Sequence, residues 1–123
     1  MDRKLLSRIH PDADLSGANL SGARLVRVSL SHANLTNAKL ANANLKDADL
    51  TRANLTAANL RGARLTYADL QEACLIEADL TNADLTGANL RGANLSNAIV
   101  HFRQLDAAAS LRDATMPDGT LHK

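Results

Sequence analysis

Cys74 is the chain's single cysteine and its one ready nucleophile or soft metal ligand. A reactive thiol needs a base or a positive charge beside it to form the thiolate. Its neighbours Ala73 and Leu75 supply neither, so Cys74 reads as a bystander. With no second cysteine there is no internal disulfide, which fits a reducing compartment. The four histidines, His10, His32, His101 and His122, stand at spacings that match no metal-binding motif. Fourteen Lys and Arg against thirteen Asp and Glu leave a formal charge of +1. That balance favours neither a nucleic-acid binder nor an acidic decoy. Asn-x-Ser/Thr triplets begin at Asn19, Asn34, Asn54 and Asn94. They fall out of a repeat, and the residues from Met1 to Ile9 lack the apolar stretch of a secretion signal. No catalytic, cofactor-binding or metal-ligating residue is assigned, and no cofactor is expected.

The element that positions these residues is a repeat of five. Leucine stands at every fifth position from Leu15 to Leu95, preceded two places earlier by alanine, with Val28 the one exception. A five-residue step turns an α-helix by about 140°, so the leucines would spiral around it instead of forming a stripe. A straight strand fails too, because an odd step sends successive leucines to opposite faces. The chain must therefore turn a corner in every unit. Ala at i−2 and Leu at i point inward, while i−1, i+1 and i+2 look out. Aromatics are only 2% of the chain, so leucine and alanine must supply the core.

The units read Ala13-Asp14-Leu15-Ser16-Gly17, Ala18-Asn19-Leu20-Ser21-Gly22 and onward to Ala93-Asn94-Leu95-Ser96-Asn97, with Ala98-Ile99-Val100-His101-Phe102 the first degraded copy. With Asn or Asp frequent at i−1 and Ser or Thr at i+1, the chain resembles the pentapeptide-repeat family, A(D/N)LXX. The resemblance implies an all-β solenoid, a right-handed quadrilateral β-helix with four units per coil and one per side of a square. The residues themselves also allow three units per coil. At about 4.8 Å per coil, the eighteen units of 13–102 make a rod of roughly 20 to 25 Å.

Four units per coil sort the outward residues into columns twenty apart. On the Leu15 side a neutral candidate partner surface comprises Asn34, Thr36, Asn54, Thr56, Cys74, Ile76 and Asn94. The Leu25 side carries a candidate basic patch of Arg24, Arg27, Lys46 and Arg64 with Tyr67, diluted by Asp47. On the Leu30 side Asp49, Asp69 and Glu72 interleave with Arg52 and Arg91. Self-satisfied side-chain ladders and a solvated basic face are the plainer readings of the first two. An uninterrupted repeat gives flat sides and a filled interior, with no pocket for catalysis.

Caps are expected at both ends. Residues 1–12 form an N-terminal cap with a short helix over 2–9, in which Asp2 is the N-cap and Leu5, Leu6 and Ile9 share a face. Residues 103–123 form a C-terminal cap, with a helix from Arg103 to Ala109 and then a five-residue register displaced by one, at Ala109-Ser110-Leu111 and Ala114-Thr115-Met116. Pro117 and Gly119 should stop the ladder. The expectation is a non-catalytic interaction scaffold of the bacterial cytoplasm, monomeric or weakly dimeric, with a protein partner and no small-molecule substrate, nucleic acid or membrane. Some members of the family mimic DNA and protect gyrase from quinolones. Nine acidic and nine basic residues between Ala13 and Ala107 disfavour that alternative.

Overall fold

The computed structural model describes residues 3–123. From Ala13 onward the backbone winds as a right-handed quadrilateral β-helix. Its i−1 residues pair in parallel at twenty-residue steps, as in Asp14, Asn34, Asn54, Cys74 and Asn94. Four units per coil are thus fixed by pairing. Every leucine from Leu15 to Leu95 is buried, and from Ala33 to Ala98 so is every alanine at i−2. In the first coil Ala18, Ala23 and Val28 stay half-buried, because nothing of their kind stacks below them.

The backbone donors of one unit can be followed individually. In Ala33 to Asn37, Asn34 N–H donates to Ala13 in the coil below, and Leu35 and Asn37 donate to Asn54 and Thr56 in the coil above. The Ala33 amide closes the preceding corner onto Leu30 C=O at 3.1 Å. Only the i+1 amide, here Thr36, has no ladder partner, and the Asn34 side chain accepts it at 3.1 Å. Asn or Asp occupies i−1 in twelve units between Asp14 and Asn94, and all twelve make this bond. The Asn/Asp preference is therefore a backbone-satisfaction rule. Six of the eight Ser and Thr that follow such a residue at i+1 add a hydroxyl bond to the same oxygen, as Thr56 does to Asn54 at 2.6 Å.

Each corner is a four-residue turn with left-handed backbone at its third residue, i+2. The five-residue period alone does not require this. All seventeen i+2 positions from Gly17 to Asn97 have φ between 57° and 69°, including Arg27, Tyr67 and Glu72. Glycine and asparagine, which tolerate that geometry best, hold nine of them.

Helix α1 spans Arg3–Ser7, shorter than the expected 2–9, and Asp2 lies outside the described residues. Leu5 and Ile9 pack on the core end, whereas Leu6 is exposed and does not share that face. Helix α2 spans Phe102–Asp106. It begins one residue before the expected helix and ends three earlier, because Ala109 N–H already donates to Ala88 in the ladder. Phe102, counted with the last repeat, opens this helix. Leu105, twenty residues after Leu85, drops into the core. Where the ladder amide of residue 104 would sit, the Gln104 side chain donates instead to Leu80 O at 2.7 Å and Ala83 O at 2.9 Å. Beyond α2 the pairing step becomes twenty-one, at Asn89 with Ser110 and Asn94 with Thr115. Pro117 and Gly119 do more than stop the ladder. They turn the chain back so that Leu121 pairs antiparallel with Thr115.

Candidate functional site

The neutral candidate residues form one stack on the Leu15 side, in successive coils. Their polar atoms largely serve the fold. Asn34, Asn54 and Asn94 spend Oδ1 on the amides of Thr36, Thr56 and Ser96 at 3.0 to 3.1 Å. Cys74 breaks the series and cannot take the Ile76 amide in the same way. Its thiol is half-buried, not exposed as an outward i−1 residue should be. Asn44, Asn59, Asp69 and Asn94 are half-buried too, at the same place in the unit between stacked coils, and Cys74 Sγ lies 3.2 Å from Thr56 Oγ1. Ile76 beside it is also half-buried.

On the Leu25 side Arg24, Arg27, Lys46, Arg64 and Tyr67 are all exposed. Arg24 and Arg64 stand in one column separated by Asn44, so about 10 Å apart at the strand spacing. Among the described residues the ion pairs are Arg52–Glu72 at 2.6 Å and Arg61–Asp79 at 3.2 Å, both on other sides. The four cations of the patch thus keep their charge unpaired. Asp84 lies one coil beyond Arg64 and feels its charge, but its carboxyl is held below the ordinary range chiefly by the Thr86 hydroxyl and then the Thr86 amide. Asp79 is lowered mainly by the Thr81 hydroxyl, against a smaller opposing effect of burial, with the Thr81 amide and Arg61 adding.

The sides are not uniformly flat. An open polar hollow of about 460 Å³ runs along the Leu30-side corner, lined by His32, Arg52, Glu72, Arg91 and Asp113 among others. Gly92 also lines it, with the Glu72 side chain leaning over that glycine. A second, more apolar hollow of about 370 Å³ lies beside α2, between Asn82, Ile99, Val100 and Gln104. These corner and cap features were not legible from side-by-side columns. Tyr67 and Phe102, the chain's two aromatics, are both over 60% exposed. Among the described residues no His, Cys, Asp and Glu cluster is arranged to hold a metal ion, and no helix is long and apolar enough to cross a membrane.

Solved structures resemble this one. A pentapeptide repeat protein from the cyanobacterium Cyanothece 51142 is 36% identical with a TM-score of 0.72, over 74% of this chain and 63% of its own. This chain thus spans less than two thirds of that relative's length. Another from Nostoc PCC 7120 is 35% identical, TM-score 0.64, with 73% of each chain covered. A third, from the Arabidopsis thaliana thylakoid lumen, is 31% identical, TM-score 0.57, over 88% of this chain and 83% of its own. No curated protein matches the chain. The pentapeptide-repeat profile matches in overlapping segments, 13–52, 29–66, 43–82 and 63–101, which together take in all the regular coils. With the five-residue unit, the square coil and the profile in agreement, the chain belongs to the pentapeptide repeat family.

Proposed function

We propose that the protein is a non-catalytic scaffold that binds another protein through its outward side chains, in the bacterial cytoplasm, as a monomer or weak dimer. The observation carrying this reading is the division of labour within each unit. Backbone, Ala, Leu, the i−1 acceptor and many i+1 hydroxyls close the rod, and the i+2 side chains with the longer i+1 ones such as Lys46 remain available for contact. Exposed aromatics beside unpaired cations are the kind of surface that partners use. Photo-crosslinking groups placed singly at Asn37, Asn82, Lys46 and Gln71, one per side, test it in extracts of the source organism. One side should give a discrete adduct; the same diffuse pattern from all four, or none, sinks the scaffold.

The gyrase-decoy alternative asks for an unbroken run of carboxylates. Here Glu72 is paired with Arg52 and Asp79 with Arg61. A supercoiling assay with a quinolone present should show neither inhibition nor rescue at micromolar protein.

A further inference from the structure

We infer that the Leu25 side is a docking surface for an acidic polypeptide segment carrying an aromatic or aliphatic residue. The inference rests on the scaffold reading and adds to it the side and the partner chemistry. Charge complementarity is the first argument. Arg24, Arg27, Lys46 and Arg64 are exposed on three successive coils, and none has an ion-pair partner among the described residues. On the Leu20 and Leu30 sides, by contrast, Arg61 and Arg52 are neutralised by Asp79 and Glu72. That leaves one exposed cation without an ion-pair partner in the middle coils of each, Lys39 and Arg91, against four on the Leu25 side. Unpaired cations on a rigid backbone lose little freedom when a carboxylate arrives, and they steer an acidic partner in.

The second argument is apolar contact within the same patch. Val26 and Tyr67 are both exposed on this side, two coils apart, with Lys46 between them. The Tyr67 ring is seated against the backbone of Gly87, one coil further on, where any Cβ would collide with it. A ring held from behind offers its other face at low entropic cost. Nucleic acid fits less well. Asp47 sits in the middle of the patch and Asp84 at its end, where a continuous phosphate backbone would have to pass. A peptide can place an uncharged residue there.

The test uses fluorescence polarisation at low salt with two labelled probes, a twelve-residue peptide of glutamates with one central phenylalanine, and a twelve-nucleotide single-stranded DNA. The peptide should bind the wild type and the DNA at least tenfold more weakly. Arg24→Gln with Arg64→Gln should weaken the peptide at least tenfold. Asn37→Glu with Ala57→Glu changes net charge by the same amount on the Leu15 side, and should weaken it less than threefold. Tyr67→Ala should cost the peptide several-fold, with melting curves confirming that each variant folds. Equal losses from the two charge-matched pairs, tighter DNA binding, or no peptide binding would each overturn the docking surface. A discrete photo-adduct from another side alone would do so too, and leave the scaffold standing.

Discussion

The ring of Tyr67 lies over Gly87 in the next coil, both at left-handed corners of the same edge, φ 57° and 69°. The pair is matched: the bulky corner residue leans forward onto the one without a side chain. Asn42 over Gly62 and Glu72 over Gly92 repeat the arrangement. Gly87→Ala should therefore cost more than Gly17→Ala, whose added methyl meets nothing. Left-handed strain alone is about 1 kcal/mol in both, and displacing the ring should add about 1 kcal/mol more at Gly87. Denaturant melts of both variants, and of Gly87→Ala with Tyr67→Ser, measure the difference. If the excess persists without the ring, the contact is not its source.

Replacing Cys74 by asparagine should stabilise the protein. The change restores the acceptor that twelve other units supply to their i+1 amide, here that of Ile76. A gain of about 0.5 to 1 kcal/mol is expected from one satisfied backbone donor. The reverse change, Asn54→Ala, should lose about 1 kcal/mol or more, since both the Thr56 amide and hydroxyl depend on it. A Cys74→Asn protein that melts lower than wild type would show that the thiol contact with Thr56 matters more than the amide.

Register should be unforgiving inside the coils. One residue inserted between Asp47 and Ala48 throws every later Ala and Leu out of inward phase, whereas an inserted five-residue unit keeps it. The single insertion should abolish cooperative melting, and the five-residue one should shift it by a few degrees. The chain itself accommodates a one-residue displacement only across α2 and its exit, where Gln104 stands in for the ladder. Similar losses from both insertions would refute the account.

Acid should weaken the rod through Asp79 and Asp84. Both carboxyls titrate lower folded than unfolded, so their stabilising contribution is complete above the unfolded value of about 3.9 and is lost as pH falls through the folded one. Melting temperature should hold between pH 6 and 5 and fall below pH 4. Asp79→Asn keeps the acceptor geometry that Asn59 shows in the same column but gives up the charge and the Arg61 pair, so it should flatten the fall mainly by lowering the melting temperature at neutral pH. An unchanged acid limb in Asp79→Asn with Asp84→Asn would exclude these groups as the cause.

The interior was legible because a period of five admits only one inward phase. What it could not give was the corner. Left-handed backbone at i+2 is signalled only by the glycine and asparagine surplus there, which residues such as Tyr67 and Glu72 obscure. The Asn/Asp column was visible, but its purpose emerges only when the i+1 amide is found outside the ladder. Cys74 was read as exposed, yet the coils stacked on either side half-bury it, as they do Asn44, Asn59 and Asp69 at the same place in the unit, and its contact with Thr56 comes from a neighbour eighteen residues away. The hollow along the Leu30-side corner depends likewise on residues from five coils, His32 to Asp113, which no local pattern joins. The basic patch was readable as a column, and its lack of partners required the ion pairs of the other sides.

The returning segment at Leu121 bears on the open face of the last described coil. Coils stacked at strand spacing are chemically close to a growing fibril, since each new layer copies the one beneath. Running the final strand backwards removes the parallel template that another chain would extend. His122 N–H goes to Ala114 O and His122 O accepts from Asp113, so the last coil's outward groups are taken at that corner. Cutting the chain after Pro117 would reopen them, leaving the Asp113 amide and the Ala114 carbonyl without these partners.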